Sequence, residues 1–345
     1  MALLVKAALS VVLLLGLSPS VGLPGDGPQP GAQASAAVGA GSAGQSRSAA
    51  RACTGPRGEP GGPDAWGGCW PGPASTGVPS GTALTSYSGD RTVSTRGAVV
   101  DGWDVSGCIV VTALDVTIQN SRAGCVHIEG QARYCRTSES STERSLTGCT
   151  AVPSLGRSRA GRWPRTLVKD SEIRCPNGPG ESGFGDRNLR ILRVEVTHCE
   201  NGFSLDSFVT VKDSYVHDLY NAIEGDPHTD GTQVLVGRSV RLKHNVFHAF
   251  SPGCSYPSDA NCNGSSAVTF GGQPDYTSVI HSSVQRNLLA GGSYTLYCPI
   301  ARPRNFSVVD NRFSEVYGPK VGEYGPSDGC HRSGVTWRGN KRIDY

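Results

Sequence analysis

Seven segments of this chain repeat one pattern: an apolar residue, any residue, a polar or small residue, then Ser or Asn. They are Ile118-Gln119-Asn120-Ser121, Val168-Lys169-Asp170-Ser171, Val211-Lys212-Asp213-Ser214, Leu242-Lys243-His244-Asn245, Val284-Gln285-Arg286-Asn287, Val308-Val309-Asp310-Asn311 and Trp337-Arg338-Gly339-Asn340. A weaker copy, Ile191-Leu192-Arg193-Val194, fills the gap between the second and third. Counted on the fourth position from 121, the intervals are 50, 23, 20, 31, 42, 24 and 29 residues. The short ones match the low end of structural repeats, and the long ones fit the same unit with an inserted loop. Apolar and polar residues alternate within each copy, which predicts short strands with one buried face.

No helical period separates these strands, so the crossover helices of a doubly wound α/β fold are missing. The pattern predicts an all-β fold, a right-handed parallel β-helix, in which apolar side chains stack inside and Ser or Asn at each corner bonds to the next rung. The alternative is a β-sandwich, but hairpin turn signals at 8-to-12-residue spacing are sparse.

The chain divides into three parts. Residues 1–22 read as a secretory signal peptide, with Lys6 ahead of an apolar core too short to span a bilayer. Residues 23–52 are a Gly/Ala/Ser/Pro-rich stretch read as a flexible linker, because they cannot bury enough surface to offset their ordering entropy. Residues 53–345 are the single β-helix domain, with a basic insertion at 131–165. The expected location is therefore secreted and extracellular, with no membrane span, and the expected state is monomeric.

Twelve Cys in an exported chain, without Cys-x-x-Cys spacing, predict disulfides. Local pairing gives Cys53–Cys69, Cys108–Cys125, Cys135–Cys149, Cys175–Cys199, Cys254–Cys262 and Cys298–Cys330. The second and fourth span roughly one coil each, and strands about 4.8 Å apart lie within disulfide reach. Net charge is only +3, which gives a nucleic-acid partner little support. The insertion carries seven Arg against Glu139 and Glu143, a balance of +5, and reads either as a basic loop over a groove for an acidic polymer or as a solvated insertion.

The densest chemistry runs from Tyr220 to Gln233, where Glu224, Asp226, His228 and Asp230 fall within seven residues around the rigid Pro227. If this segment is extended, His228 and Asp230 share a face. A His beside carboxylates suits proton transfer, and Asp226, Asp230 and Glu224 could instead hold Ca²⁺, the one cofactor considered. The same residues also suit an ordinary turn. Asp206, Arg241, Lys243 and His244 could converge from neighbouring rungs, with Arg241 and Lys243 pointing outward.

The run Asp213 to Leu219 leading into Asp226 to Gln233, then Asn287 to Cys298, resembles the secreted right-handed parallel β-helix proteins of the pectin-lyase-like superfamily over about residues 74 to 340. That resemblance implies polysaccharide lyase, glycoside hydrolase or uronate epimerase chemistry, or none. Asp226-Pro227-His228 is similar to the Asp-Pro-His of mannuronan C5-epimerases, whose catalytic Tyr lies three residues before the Asp. Ile223 stands there in this chain, and Tyr220 is the nearest Tyr. The expected partner is a polysaccharide, cleaved or modified with β-elimination favoured. His228 would be the base, Arg241 or Lys243 the charge stabiliser, and Asp226 or Asp230 a cation ligand. Asp206, Tyr220, Gln233 and His244 would bind substrate. A hydrolase would draw on Asp206, Asp226 and Asp230. A carbohydrate-binding or surface-structural β-helix is the non-catalytic alternative.

Overall fold

The polar residue third in each repeat adopts the left-handed backbone conformation. Its φ is 49° at Asn120 and Asp170, 53° at Arg193, 51° at Asp213, 55° at His244, 53° at Arg286, 59° at Asp310 and 66° at Gly339. Asn, Asp and Gly enter this region at least cost, and here it turns the chain sharply between two strands. The fourth residue then points into the stack. Ser121 N–H donates to Ser171 Oγ at 3.2 Å, Val194 N–H to Ser214 Oγ at 3.1 Å and Ser214 N–H to Asn245 Oδ1 at 3.0 Å. Asn245, Asn287 and Asn311 each donate N–H to the next Asn Oδ1 at 2.9 Å. The Ser/Asn column is therefore a hydrogen-bonded ladder in two runs, broken where Val194 offers no side-chain acceptor.

The computed structural model describes residues 52–129, 165–176, 182–220, 228–235, 237–251, 264–271, 279–300, 303–317 and 320–343. Residues 1–51, which hold the expected signal and nearly all of the expected linker, and all of the basic insertion but Arg165 lie outside these. The described residues are all-β and contain no helix that could cross a membrane. Every strand pairing is parallel, in one nine-stranded and one seventeen-stranded sheet, an arrangement consistent with a β-helix. A representative rung starts in the nine-stranded sheet with Thr210–Lys212 and turns at Asp213. It then adds Tyr215–Val216 and, after a connecting segment, Asp230–Val234 to the larger sheet.

Apolar residues line the inside. Val168, Ile191, Val211, Leu242, Val284 and Val308 stack in register and are wholly buried. On the third side Phe184 and Phe203 stack with centroids 5.2 Å apart. A second corner lies before the nine-stranded sheet, with Asn188, Phe208, Ser239, His281 and Asn305 also left-handed.

Four of the expected disulfides are formed: Cys53–Cys69, Cys108–Cys125, Cys175–Cys199 and Cys298–Cys330. Cys108 and Cys125 are register partners on neighbouring rungs. Multiple disulfides fit an oxidising environment. Cys135–Cys149 and Cys254–Cys262 lie outside the described residues.

Residues 53–77 form a strap along the outer surface of the larger sheet. Gly58 O accepts from Ser314 Oγ at 3.1 Å, and Gly77 N–H donates to Arg193 O at 3.1 Å. Between these points Trp70 covers the outward side chains of Tyr215, Val246 and Leu288. His244 clips the strap down: Nδ1 meets Asp213 Oδ1 at 2.7 Å, Nε2 meets Asp64 Oδ2 at 3.1 Å, and Trp70 stacks on its ring at 5.4 Å. Gly77, at φ 76°, approaches Glu195 so closely that a Cβ would sit 2.7 Å from Oε2.

Candidate functional site

Asp230 opens the strand Asp230–Val234 and is buried, at 2 % exposure. Its Oδ1 accepts from Ser266 Oγ at 2.5 Å and Thr269 Oγ1 at 3.1 Å, and Oδ2 accepts from Gln233 Nε2 at 3.3 Å. Burial raises its pKa to about 6, against the opposing pull of Ser266, Thr269, nearby His228 and Gln233. Near pH 6 this carboxyl is therefore divided between its two protonation states.

Above it runs an outward column set by register: Ser204 beside Gln233, Gln233 beside Thr269, Thr269 beside Tyr297, and Tyr297 beside Asp328. Tyr294 packs edge-on against Tyr297 at 5.5 Å and tilts against Tyr324 at 5.8 Å. Tyr324 is 64 % exposed and presents its ring to solvent. The Tyr297 phenol is raised by burial and by Asp328 and Asp230, against a backbone hydrogen bond at Tyr294, so it stays protonated and can donate. Flat rings beside hydroxyl, amide and carboxyl groups offer both stacking and hydrogen bonding to a sugar.

The structure brings together Asp230, Gln233 and His228, although His228 is exposed and precedes the strand instead of sharing its face. Arg241 and Lys243 point outward as expected, but they belong to the nine-stranded sheet, a different face from Asp230. Asp206 is engaged by Arg187 and Ser207. His244 lies under the strap. Tyr220 is tied by its backbone, N–H to Cys199 O at 2.9 Å and O to Thr229 Oγ1 at 3.2 Å. Glu224 and Asp226 lie outside the described residues.

Tyr294, Tyr297, Tyr324, Thr269 and Asp328 were not anticipated from the sequence. Tyr294 and Tyr297 fall in the run of residues 287 to 298 that carried the family resemblance, yet only the rung register places them beside Gln233.

A second titratable cluster sits on the same sheet. His217 Nδ1 meets Asp218 Oδ2 at 2.8 Å and Nε2 meets Glu195 Oε1 at 2.9 Å, with Tyr215 stacked at 3.9 Å. Burial lowers its pKa, but the two carboxylates outweigh that and raise it overall. Both ring nitrogens are thus occupied, which suits a structural clamp better than proton transfer. Burial pushes His248 down to about 3, so it is neutral where it meets the Tyr317 hydroxyl at 2.8 Å.

Among the described residues, Cys108, Cys125 and His127 form the one group close enough to hold a metal, but both thiols are spent in a disulfide. Comparison with family models, curated proteins and solved structures finds no match to this chain.

Proposed function

We propose that the protein is a secreted right-handed parallel β-helix of the pectin-lyase-like kind, which binds a polysaccharide along the tyrosine face and modifies it by proton transfer. The observation that carries this reading is the Tyr294–Tyr297–Tyr324 cluster, half-buried but for the exposed Tyr324, with Tyr297 in the register column of Gln233 beside a carboxyl whose pKa is about 6. Sugar rings stack on Tyr324 and Tyr294, and Gln233 and Asp328 hydrogen-bond hydroxyls. His228, exposed and next to Asp230, takes the proton beside a uronate carboxylate, and the Tyr297 phenol donates to the departing oxygen. Asp230, beneath the surface, positions Gln233 and Thr269. Its protonation lowers the negative charge that an acidic sugar would meet. This is β-elimination on an acidic polysaccharide.

Hydrolysis is less well supported. It needs two carboxyls flanking the bond about 5 to 9.5 Å apart, whereas Asp230 is buried beneath Ser266, Thr269 and Gln233, and Asp206 is held by Arg187. A purely binding protein is the second reading, favoured by the complete hydrogen bonding of Asp230. Incubation with a panel of acidic and neutral polysaccharides, following unsaturated-uronate absorbance and reducing ends separately, distinguishes these. Absorbance with new ends supports elimination, new ends alone support hydrolysis, and retention without product leaves a binder.

A further inference from the structure

The outward face of the nine-stranded sheet carries a concentration of positive charge that the tyrosine face does not use. Register places Arg190 beside Thr210 and Thr210 beside Arg241, so the two arginines project two strand spacings apart, about 10 Å. Lys243 follows Arg241 two residues along the same strand and points the same way, about 7 Å on. Arg165 joins them just before the strand Thr166–Lys169. Arg190, Arg241 and Lys243 are exposed, and Arg165 is half-buried.

These four cations lack acidic partners among the described residues. Of the other cations on the face, Lys212 pairs with Asp213 at 2.7 Å and Lys169 acts on Asp101, while Arg338 stands exposed three strands beyond Lys243 in the same register. Arg193, at the corner, pairs with Asp170 at 2.6 Å. The Arg165 guanidinium is held below its ordinary pKa, first by burial and then by the positive charges of Arg241 and Arg190. Mutually repelling cations left unmatched on a flat surface would be relieved by a ligand of opposite sign.

We propose that this face is a docking surface for an anionic polysaccharide, held by Arg165, Arg190, Arg241 and Lys243 and separate from the tyrosine face. The outward strand positions from Thr117 to Val309 include no aromatic residue, so bases of a nucleic acid would find no stacking platform. One rung beyond Arg241 and Lys243, their register partners are Ser283 and Gln285, which suit sugar hydroxyls. The polymer would anchor the protein without being turned over there, so this inference does not depend on the chemistry at Tyr297.

The test uses the full chain and heparin as the probe, with immobilised-ligand binding measured across a salt series. Wild type is expected to bind at low salt and weaken as salt rises, because exposed charges are screened beyond about 8 Å at physiological ionic strength. The combined variant Arg190→Ser, Arg241→Ser, Lys243→Ser should lose at least about tenfold in affinity and show a shallower salt dependence, with an unchanged circular dichroism spectrum. Tyr324→Ala with Tyr297→Phe should leave heparin binding intact, whatever it does to polysaccharide turnover. Equal binding by wild type and the triple variant would overturn the proposal. So would absence of wild-type binding at low salt, or tighter binding of a single-stranded oligonucleotide than of heparin at the same salt.

Discussion

Asn287 is the interior position at which the ladder can be tested most directly. It is fully buried, and its side chain makes four hydrogen bonds. Oδ1 accepts from Asn245 N–H at 2.9 Å and Asn245 Nδ2 at 3.0 Å, while Nδ2 donates to Leu242 O at 3.1 Å and Asn311 Oδ1 at 3.0 Å. At about 1 kcal/mol net per bond, Asn287→Ala should cost roughly 4 kcal/mol. Serine provides an internal control, because Ser214 in the same column accepts from Val194 N–H at 3.1 Å and donates to Lys212 O at 3.0 Å. Asn287→Ser should therefore retain about half of the bonding and cost roughly 2 kcal/mol. Urea unfolding followed by tryptophan fluorescence gives both values, with a second probe of the strands to detect rungs that open separately. An alanine cost below about 1 kcal/mol, or a serine variant no better than alanine, would refute the ladder as a principal source of stability.

Three further outcomes are expected. Because the folded pKa of Asp230 is raised to about 6, its contribution to stability is complete below the unfolded pKa near 4 and is lost as pH rises through 6. Relative to Asp230→Asn, wild type should lose roughly 2–3 kcal/mol between pH 4 and 8, and parallel urea titrations showing no change in that difference would contradict the assignment. If turnover is found, His228→Ala and Tyr297→Phe should each reduce kcat by about 10² to 10⁴ with little change in melting temperature, and near-wild-type rates would move the chemistry elsewhere. Asp64→Ala removes acceptors from Trp66 N–H at 2.7 Å, Gly68 N–H at 2.8 Å and the contact with His244. Hydrogen exchange should accelerate in residues 53–77 and stay slow in the rungs; uniform acceleration would show that the strap is not a separate unit.

The corners were legible because their chemistry is local. A residue able to adopt φ near 50°, followed by Ser or Asn, is written in four consecutive positions, and so the ladder from Ser121 to Asn340 could be read directly. Cys pairing was legible for the same reason, since Cys108 and Cys125 are one coil apart. The face on which a distant side chain ends was not legible. Arg241 and Lys243 stand 11 and 13 residues after Asp230 in the chain, yet a corner at Ser239 carries them onto another sheet. Tyr297 is 64 residues after Gln233 but lies two strands away, because intervening loops of unequal length leave the register unchanged. The strap was wholly unanticipated, since residues 53–77 carry no copy of the repeat and read with the rest of 53–345 as β-helix.

The contact between Gly58 and Ser314 joins residues 256 apart. A repeat array ordinarily grows from whichever end appears first, each rung needing only its neighbour. Here the strap has part of its landing site on a rung made much later in the chain, and synthesis at about 5 to 20 residues per second sets the length of that wait. Trp70 finds Tyr215, His244, Val246 and Leu288 as those rungs form, whereas Arg312 over Trp66 and Ser314 at Gly58 arrive later. A chain cut before Arg312 thus leaves the strap anchored around Trp70 and loose at Gly58, and its closing at Ser314 records that this rung has been wound.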